Sequence, residues 1–316
     1  MEKHLYVIGN GFDIHHGINS SYSNFKDWMV EYNSDVLEEF EEAYGVCDDE
    51  WWGNFENELA SLDIIEYASQ IASENQPDLT SEHCDRMWSD AQIEVERQLS
   101  NLYSDLRNCF HDWIIQLNKP LAEKKIILQT DNSLFLNFNY TTTLETLYGV
   151  NSDKILHIHG CVNVNEDFVI GHGKTLDDLH KENSDVKPSP PKNINEEEYI
   201  EWLEDQSDSK EFHEQLAEDA AFHCVESQRK PVEQIIETNE AFFSSLRGFN
   251  VVHVYGISFS QIDMPYLTRI AQEVVNAEWE FCDYDNQHRD DIIKFVQNNF
   301  IKKYKIIELE NLRLKR

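Results

Sequence analysis

Basic residues are scarce in this sequence. Lys and Arg together number 26 against 60 Asp and Glu, which leaves a formal net charge of -34 at pH 7 over 316 residues. Non-specific affinity for nucleic acid comes largely from Lys and Arg neutralising phosphates, and no Lys/Arg cluster interrupts the acidity, so generic nucleic-acid binding is excluded. No apolar run approaches the roughly 18 residues that a membrane span requires, and membrane association is not expected. The first residues, MEKHLYV, lack the basic start and apolar stretch of a secretory signal, so the expected location is cytoplasmic. The six cysteines (Cys47, Cys84, Cys109, Cys161, Cys224 and Cys282) include no C-x-x-C pair, which removes the usual sign of a zinc or redox dithiol site and leaves buried free thiols as the reading. Internal repeats and low-complexity tracts are absent.

What is present is ample apolar material, 41% of the chain, and an uneven distribution of acid. Residues 31–100 hold 20 acidic residues with only Arg86 and Arg97 as basic ones, and residues 174–247 hold 19 acidic and 8 basic residues. In these segments DVLEEFEEAY, WWGNFENELASLDIIEYASQ, EVERQLSNLYSDLRNCFHDWIIQL and PVEQIIETNEAFFSSLRG space apolar residues three and four apart, as amphipathic helices do. Elsewhere short Val-, Ile- and Phe-rich runs predict strands near 4–9, 125–129, 134–138, 154–159, 168–171, 250–257, 279–283 and 304–309, with helical stretches at 143–149, 264–276 and 287–299. Alternating strands and helices indicate an α/β fold with a mostly parallel, Rossmann-like sheet. The expected organisation is a single α/β domain over 1–316, with helical insertions at about 31–120 and 174–247.

Four stretches fall at the carboxyl ends of predicted strands, where open α/β sheets bind ligands. In VIGNGFD (7–13) Gly9 and Gly11 mark either a strand-to-helix turn or a close approach of backbone to phosphate. Ile14 stands where the full dinucleotide fingerprint has its third Gly. In FLNFNYTTTLE (135–145) Asn139 can hydrogen-bond a ribose hydroxyl, position a water, or serve the turn itself. HIHGCV (157–162) places His157 and His159 on one face of a strand, with His159 beside Gly160 as the candidate general base. VYGISFSQID (254–263) supplies a later turn. A metal reading built on Asp13, His15, His16, His157, His159 and His172 has no recognised ligand spacing to support it.

Taken in order, LYVIGNGFDIHHGI with the following SY and F, FLNFNYTTTLE, ILHIHG, VIGHG and VYGISFSQID closely resemble the AbiH family of bacterial abortive-infection proteins, from Leu5 to the last strand near Ile306 and including WWGNFENELA. More distantly the set is similar to the SIR2-like fold, a Rossmann-type sheet that binds NAD. That resemblance implies that Gly9 and Gly11 form the first cofactor turn with Asn10, that Asn139 contacts the ribose and orders water beside Tyr140 and Thr141, that His159 is the catalytic His, and that Gly256, Ser258 and Asp263 lie in the turn on the adenosine side. SIR2-like NADases have G-A-G-x-S in the first turn and Asp after N-Y, where this chain has Asn10, Asp13 and Thr141. Asp13 would stabilise the developing ribose cation or bind a ribose hydroxyl; the other reading is compensation of a helix N-terminus.

The expectation is therefore an antiphage effector acting on a nucleotide, most concretely an NAD(P) glycohydrolase that takes NAD as substrate, uses no metal, and is restrained at rest through oligomerisation or closure of the helical insertions over the site. A phage-derived trigger, an adjacent defence protein and a second copy of the chain are the partners this implies. Two alternatives stand beside it: a metal-dependent nuclease or nucleotide phosphohydrolase built on Asp13, His157, His159 and His172, and a non-catalytic module that senses a nucleotide or a phage protein.

Overall fold

Alternate residues of an extended run point to opposite sides of a sheet, and in this chain both sides are covered. The computed structural model describes residues 2–45, 47–77, 87–162, 168–183, 212–283, 288–308 and 312. The breaker run KPSPPKN, the stretch EEEYIEWLEDQ and Cys84 lie outside them. The sheet unit contains β1 (His4–Ile8), α1 (Asn10–His15), β2 (Ser133–Asn137), α2 (Thr143–Tyr148), β3 (Ile155–His157), α3 (Val232–Thr238), α4 (Glu240–Ser245), β4 (Val251–Tyr255), α5 (Met264–Glu273), β5 (Glu278–Cys282), α6 (Arg289–Asn298) and β6 (Tyr304–Ile307). All strand pairs are parallel, in the order β3-β2-β1-β4-β5-β6. This is the Rossmann order, with its topological switch between β1 and β4.

Leu5, Val7, Leu136, Val252, Val254 and Phe281 point to one side, where Phe243, Tyr266, Leu267, Ile270 and Phe295 pack against them. Tyr6, Ile8, Phe135 and Tyr255 point to the other, against Phe12, Leu144 and Val150. This second side also carries a polar row, because the register sets Tyr6, His253, Glu280 and Lys305 opposite one another across four strands. Burial would raise the Glu280 carboxyl, but hydrogen bonds from His253, Lys305 and Tyr255 outweigh it and hold the group down at about 2.

Two expected strands are not formed. At 125–129 two backbone donors go to side-chain hydroxyls, Ile126 N–H to Tyr148 and Gln129 N–H to Tyr6, and with Ile127 N–H on the Leu312 carbonyl the run makes an isolated bridge at Ile126 and no strand. At 168–171, Val169 bonds through its N–H to the His159 carbonyl and through its own carbonyl to the Tyr140 hydroxyl. That run is thereby spent on the turn after β3, and only His172 makes a bridge, with Arg229.

Residues 29–109 and 171–229 cluster as a second compact unit; the sheet unit takes 1–28, 110–170 and 230–316, so α3 and α4, read from sequence as part of the second insertion, group with the sheet. The described part of the second unit is helical. In the helix Ser34–Tyr44 the apolar Leu37 and Phe40 are buried while Glu38, Glu39 and Glu42 face solvent. Phe40 stacks on Tyr44 and meets Trp51 edge-on. The helix Ile64–Glu74, with Ile64, Ala68, Ile71 and Ala72 on its buried stripe, packs on Phe212–Glu226. Among the described residues no helix is long and apolar enough to cross a membrane.

Candidate active site at the carboxyl edge of the sheet

The turns leaving β1 and β4 meet at the switch point, and glycine is what lets them meet. Gly9 N–H donates to the Tyr255 carbonyl at 2.9 Å and Gly11 N–H to the Gly256 carbonyl at 3.0 Å. A Cβ on Gly9 would lie 2.5 Å from the Gly256 carbonyl oxygen, and one on Gly256, whose φ is +72°, would lie 2.3 Å from the Phe12 nitrogen. The close approach signalled by these glycines is thus made by backbone to backbone. Asn10 turns aside to Ser20, donating to its carbonyl at 2.9 Å and accepting from its hydroxyl at 2.6 Å.

From β2 comes a second set of ties. Asn139 donates through Nδ2 to the Gly9 carbonyl at 3.1 Å, and its N–H reaches Asn137 Oδ1 at 3.1 Å. Asp13 is buried in α1 and accepts from Thr141 Oγ1 at 2.5 Å and Thr143 Oγ1 at 2.7 Å. Burial raises its carboxyl to about 6, with the hydrogen bonds from Thr141, Thr143 and Asn139 acting against the rise. Both carboxylate oxygens are therefore engaged in fixing α1 to the start of α2 and the turn before it. On the β4 side Ser258 is exposed, Phe259 is held at φ +56°, and Asp263 N–H donates to the Ser260 carbonyl ahead of α5.

The two histidines have different surroundings, because β3 ends at His157 and the chain turns through Ile158 and His159. They do not share a strand face as the spacing suggested. His157 bonds through Nε2 to Glu145 Oε1 at 2.9 Å, while its Nδ1 faces the Asn139 carbonyl at 3.2 Å with the Asn137 amide alongside at 3.3 Å. Burial lowers its tendency to protonate, yet hydrogen bonding with Cys161 and Glu145 prevails and brings it to about 10. His159 is 3% exposed and set edge-on among rings, 5.2 Å from Phe138 and 5.7 Å from Tyr266 between centroids. Its ring bonds to the Phe138 backbone, its Nε2 is sealed from solvent with no hydrogen-bond partner among the described residues, and burial together with the charge of Lys230 pushes it well below the usual histidine range.

The sequence pattern of the bacteriophage abortive infection family AbiH matches residues 5–283. The chain belongs to that family. No curated protein and no solved structure matches it.

The match takes in every strand-end turn of this AbiH chain up to the end of β5. Gly9, Gly11 and Gly256 touch, Asn139 reaches the Gly9 turn, and Asp13 holds Thr141. The metal reading from sequence needs a different ligand set. Asp13 is taken up by threonine hydroxyls, and His172 belongs to the helical unit with Nε2 at the Val225 carbonyl. Among the described residues the ligand-type atoms that converge belong to Glu145, His157 and Cys161. From sequence, Cys161 falls among the buried free thiols and Glu145 has no ligand role. The only available signal was their place in the strand-end motifs around Asn139 and His157, since three separate elements bring them together. Lys230, buried close enough to His159 to affect its charge, was likewise missed.

Proposed function

We propose that this AbiH protein, whose family supports a role in bacteriophage abortive infection, cleaves the nicotinamide–ribose bond of NAD(P) with His159 as general base. The observation that carries the reading is the sealed Nε2 of His159, which has no hydrogen-bond partner among the described residues and whose ring is fixed from its other side by the Phe138 backbone. A buried acceptor left without a donor is rare and calls for a reason, and a neutral imidazole nitrogen is a base that can take a proton. In the step proposed, Nε2 removes a proton from water, the water oxygen bonds to the anomeric carbon, the carbon–nitrogen bond breaks, and its electron pair returns to the pyridinium ring, giving nicotinamide and ADP-ribose. The aromatic surroundings suit a reaction through a ribose cation, which requires that bulk water be kept out. Asn139 and Asp13 act by holding the β1 turn through the Gly9 carbonyl and the two threonine hydroxyls.

An exposure of 3% at His159 also fits a restrained resting state in which activation uncovers the ring. The test is nicotinamide release from NAD by the purified chain, alone and with lysate of phage-infected cells. Release that requires the infected lysate supports both parts of the proposal. Full turnover by the untreated monomer removes the restraint, and no release under either condition removes the glycohydrolase reading.

A further inference from the structure

We propose that Glu145, His157 and Cys161 form a binding site for one divalent transition ion of the zinc type. A carboxylate oxygen, an imidazole nitrogen and the thiol sulfur lie within 4.8 Å of one another. Zinc holds sulfur at about 2.3 Å and nitrogen or oxygen at about 2.0–2.2 Å in a tetrahedron.

Three further features favour an ion over a plain hydrogen-bond cluster. Glu145 Oε2 is sealed from solvent and has no hydrogen-bond partner among the described residues, so the desolvation of that oxygen is not offset by any of them. His157 faces the Asn139 carbonyl through Nδ1 and turns Nε2 toward Glu145, which is how a metal-binding histidine is oriented by its outer partner. Cys161 is only 2% exposed, which suits an enclosed ligand better than a nucleophile awaiting an incoming electrophile. Carboxylate and thiolate together balance a double positive charge, and the sulfur selects against magnesium and calcium. On binding, the ion replaces the proton between Nε2 and Oε1 and the thiol proton, both of which leave to solvent.

The site would hold the β3 turn at both ends. His157 and Cys161 flank His159, and Glu145 belongs to α2, so an ion joining them fixes the run that carries His159 against a helix. The three protein ligands leave a fourth position for water or a phosphate oxygen. The binding test is independent of glycohydrolysis, so failure of either proposal leaves the other standing.

The full-length protein, stripped with EDTA and dialysed, is titrated with Co²⁺ and then with Zn²⁺. The expected result is one ion per chain, a thiolate-to-cobalt charge-transfer band in the near ultraviolet, and displacement of cobalt by zinc. Cys161→Ser should abolish the band and weaken zinc binding by about a hundredfold, the upper end of the loss seen for an outer-shell partner alone. Cys282→Ser, which alters a thiol outside the cluster, should change neither. No band in the natural protein, or a band that survives in Cys161→Ser, overturns the proposal. If Cys161→Ser does not fold by circular dichroism, Glu145→Gln decides: at least about a tenfold loss of zinc affinity supports the site, and unchanged affinity overturns it.

Discussion

Two neighbourhoods at the carboxyl edge of the sheet bury ionisable side chains in opposite ways. Asp13 and His157 themselves are well supplied with partners: two threonine hydroxyls for the aspartate, Glu145 and a backbone carbonyl for the histidine. Around His159 stand the rings of Phe138, Tyr140 and Tyr266 with the charge of Lys230 nearby, and Nε2 has no hydrogen-bond partner among the described residues. The same imidazole, two residues along, is thus driven to about 10 in the first setting and far down in the second. The lesson is that burial alone does not set the charge of a group; burial sets the penalty, and the supply of hydrogen bonds decides whether it is met. A site needs both kinds of neighbourhood, one to hold the backbone still and one to leave an atom free to react.

The comparison breaks most visibly at His159. Replacing it with Phe keeps a ring among rings and removes the lone pair, so nicotinamide release should fall about 10²- to 10⁴-fold while the melting temperature does not drop. Release that persists in His159→Phe would move the base elsewhere. At His157 the pattern reverses. His157→Phe leaves Glu145 largely buried without its partner, and urea unfolding of the metal-free chain at pH 7 should show a loss of about 2–3 kcal/mol. A loss below about 0.5 kcal/mol, the lower end for one net hydrogen bond, would mean that Glu145 is better solvated than its sealed oxygen implies.

The smallest effect sharpens the polar side. Asp13 has its carboxyl raised from 3.8 to about 6, so the folded state binds its proton more tightly than the unfolded chain does. Its contribution to stability is therefore largest below 3.8, declines as pH rises toward 6, and stays low above that. Asp13→Asn removes this titration and keeps the side chain's shape. The variant should gain about 1 kcal/mol over the natural chain at pH 7, allowing for an amide donor that the threonine hydroxyls must turn to accept. Unfolding measured at pH 4.5 and 7 should show the natural chain closing that gap at the lower pH. A gap that is the same at both values would assign the difference to something other than the carboxylate.

The parallel sheet was legible because it is buried on both sides: Val-, Ile- and Phe-rich runs between helical stretches read as strands without any long-range information. The runs at 125–129 and 168–171 look the same in sequence, and what disqualified them was hydrogen bonding to Tyr6, Tyr148 and Tyr140, residues whose proximity no local pattern encodes. In sequence Gly9 and Gly11 read as a turn or an approach to phosphate, and the backbone that lies against them is that of Gly256. His159 was singled out by its place at a strand end beside Gly160. Cys161, only two residues further, carried no signal because its meaning depends on Glu145 and His157 folding back onto it.

The position of β1 has a consequence measured in time. As the central strand it is the first part of the sheet to be synthesised, yet its neighbours are β2 and β4, and β4 lies 247 residues further on, as does the Asn250 side chain that receives the Lys3 N–H. At about 5–20 residues per second, a ribosome takes roughly 12–50 s to make that stretch. Until Gly256 emerges, the β1 turn has no surface to close against. A chain released before that point contains the first three of the four strand-end motifs but cannot assemble the carboxyl edge of the sheet, so any activity there waits on the segment that leaves β4.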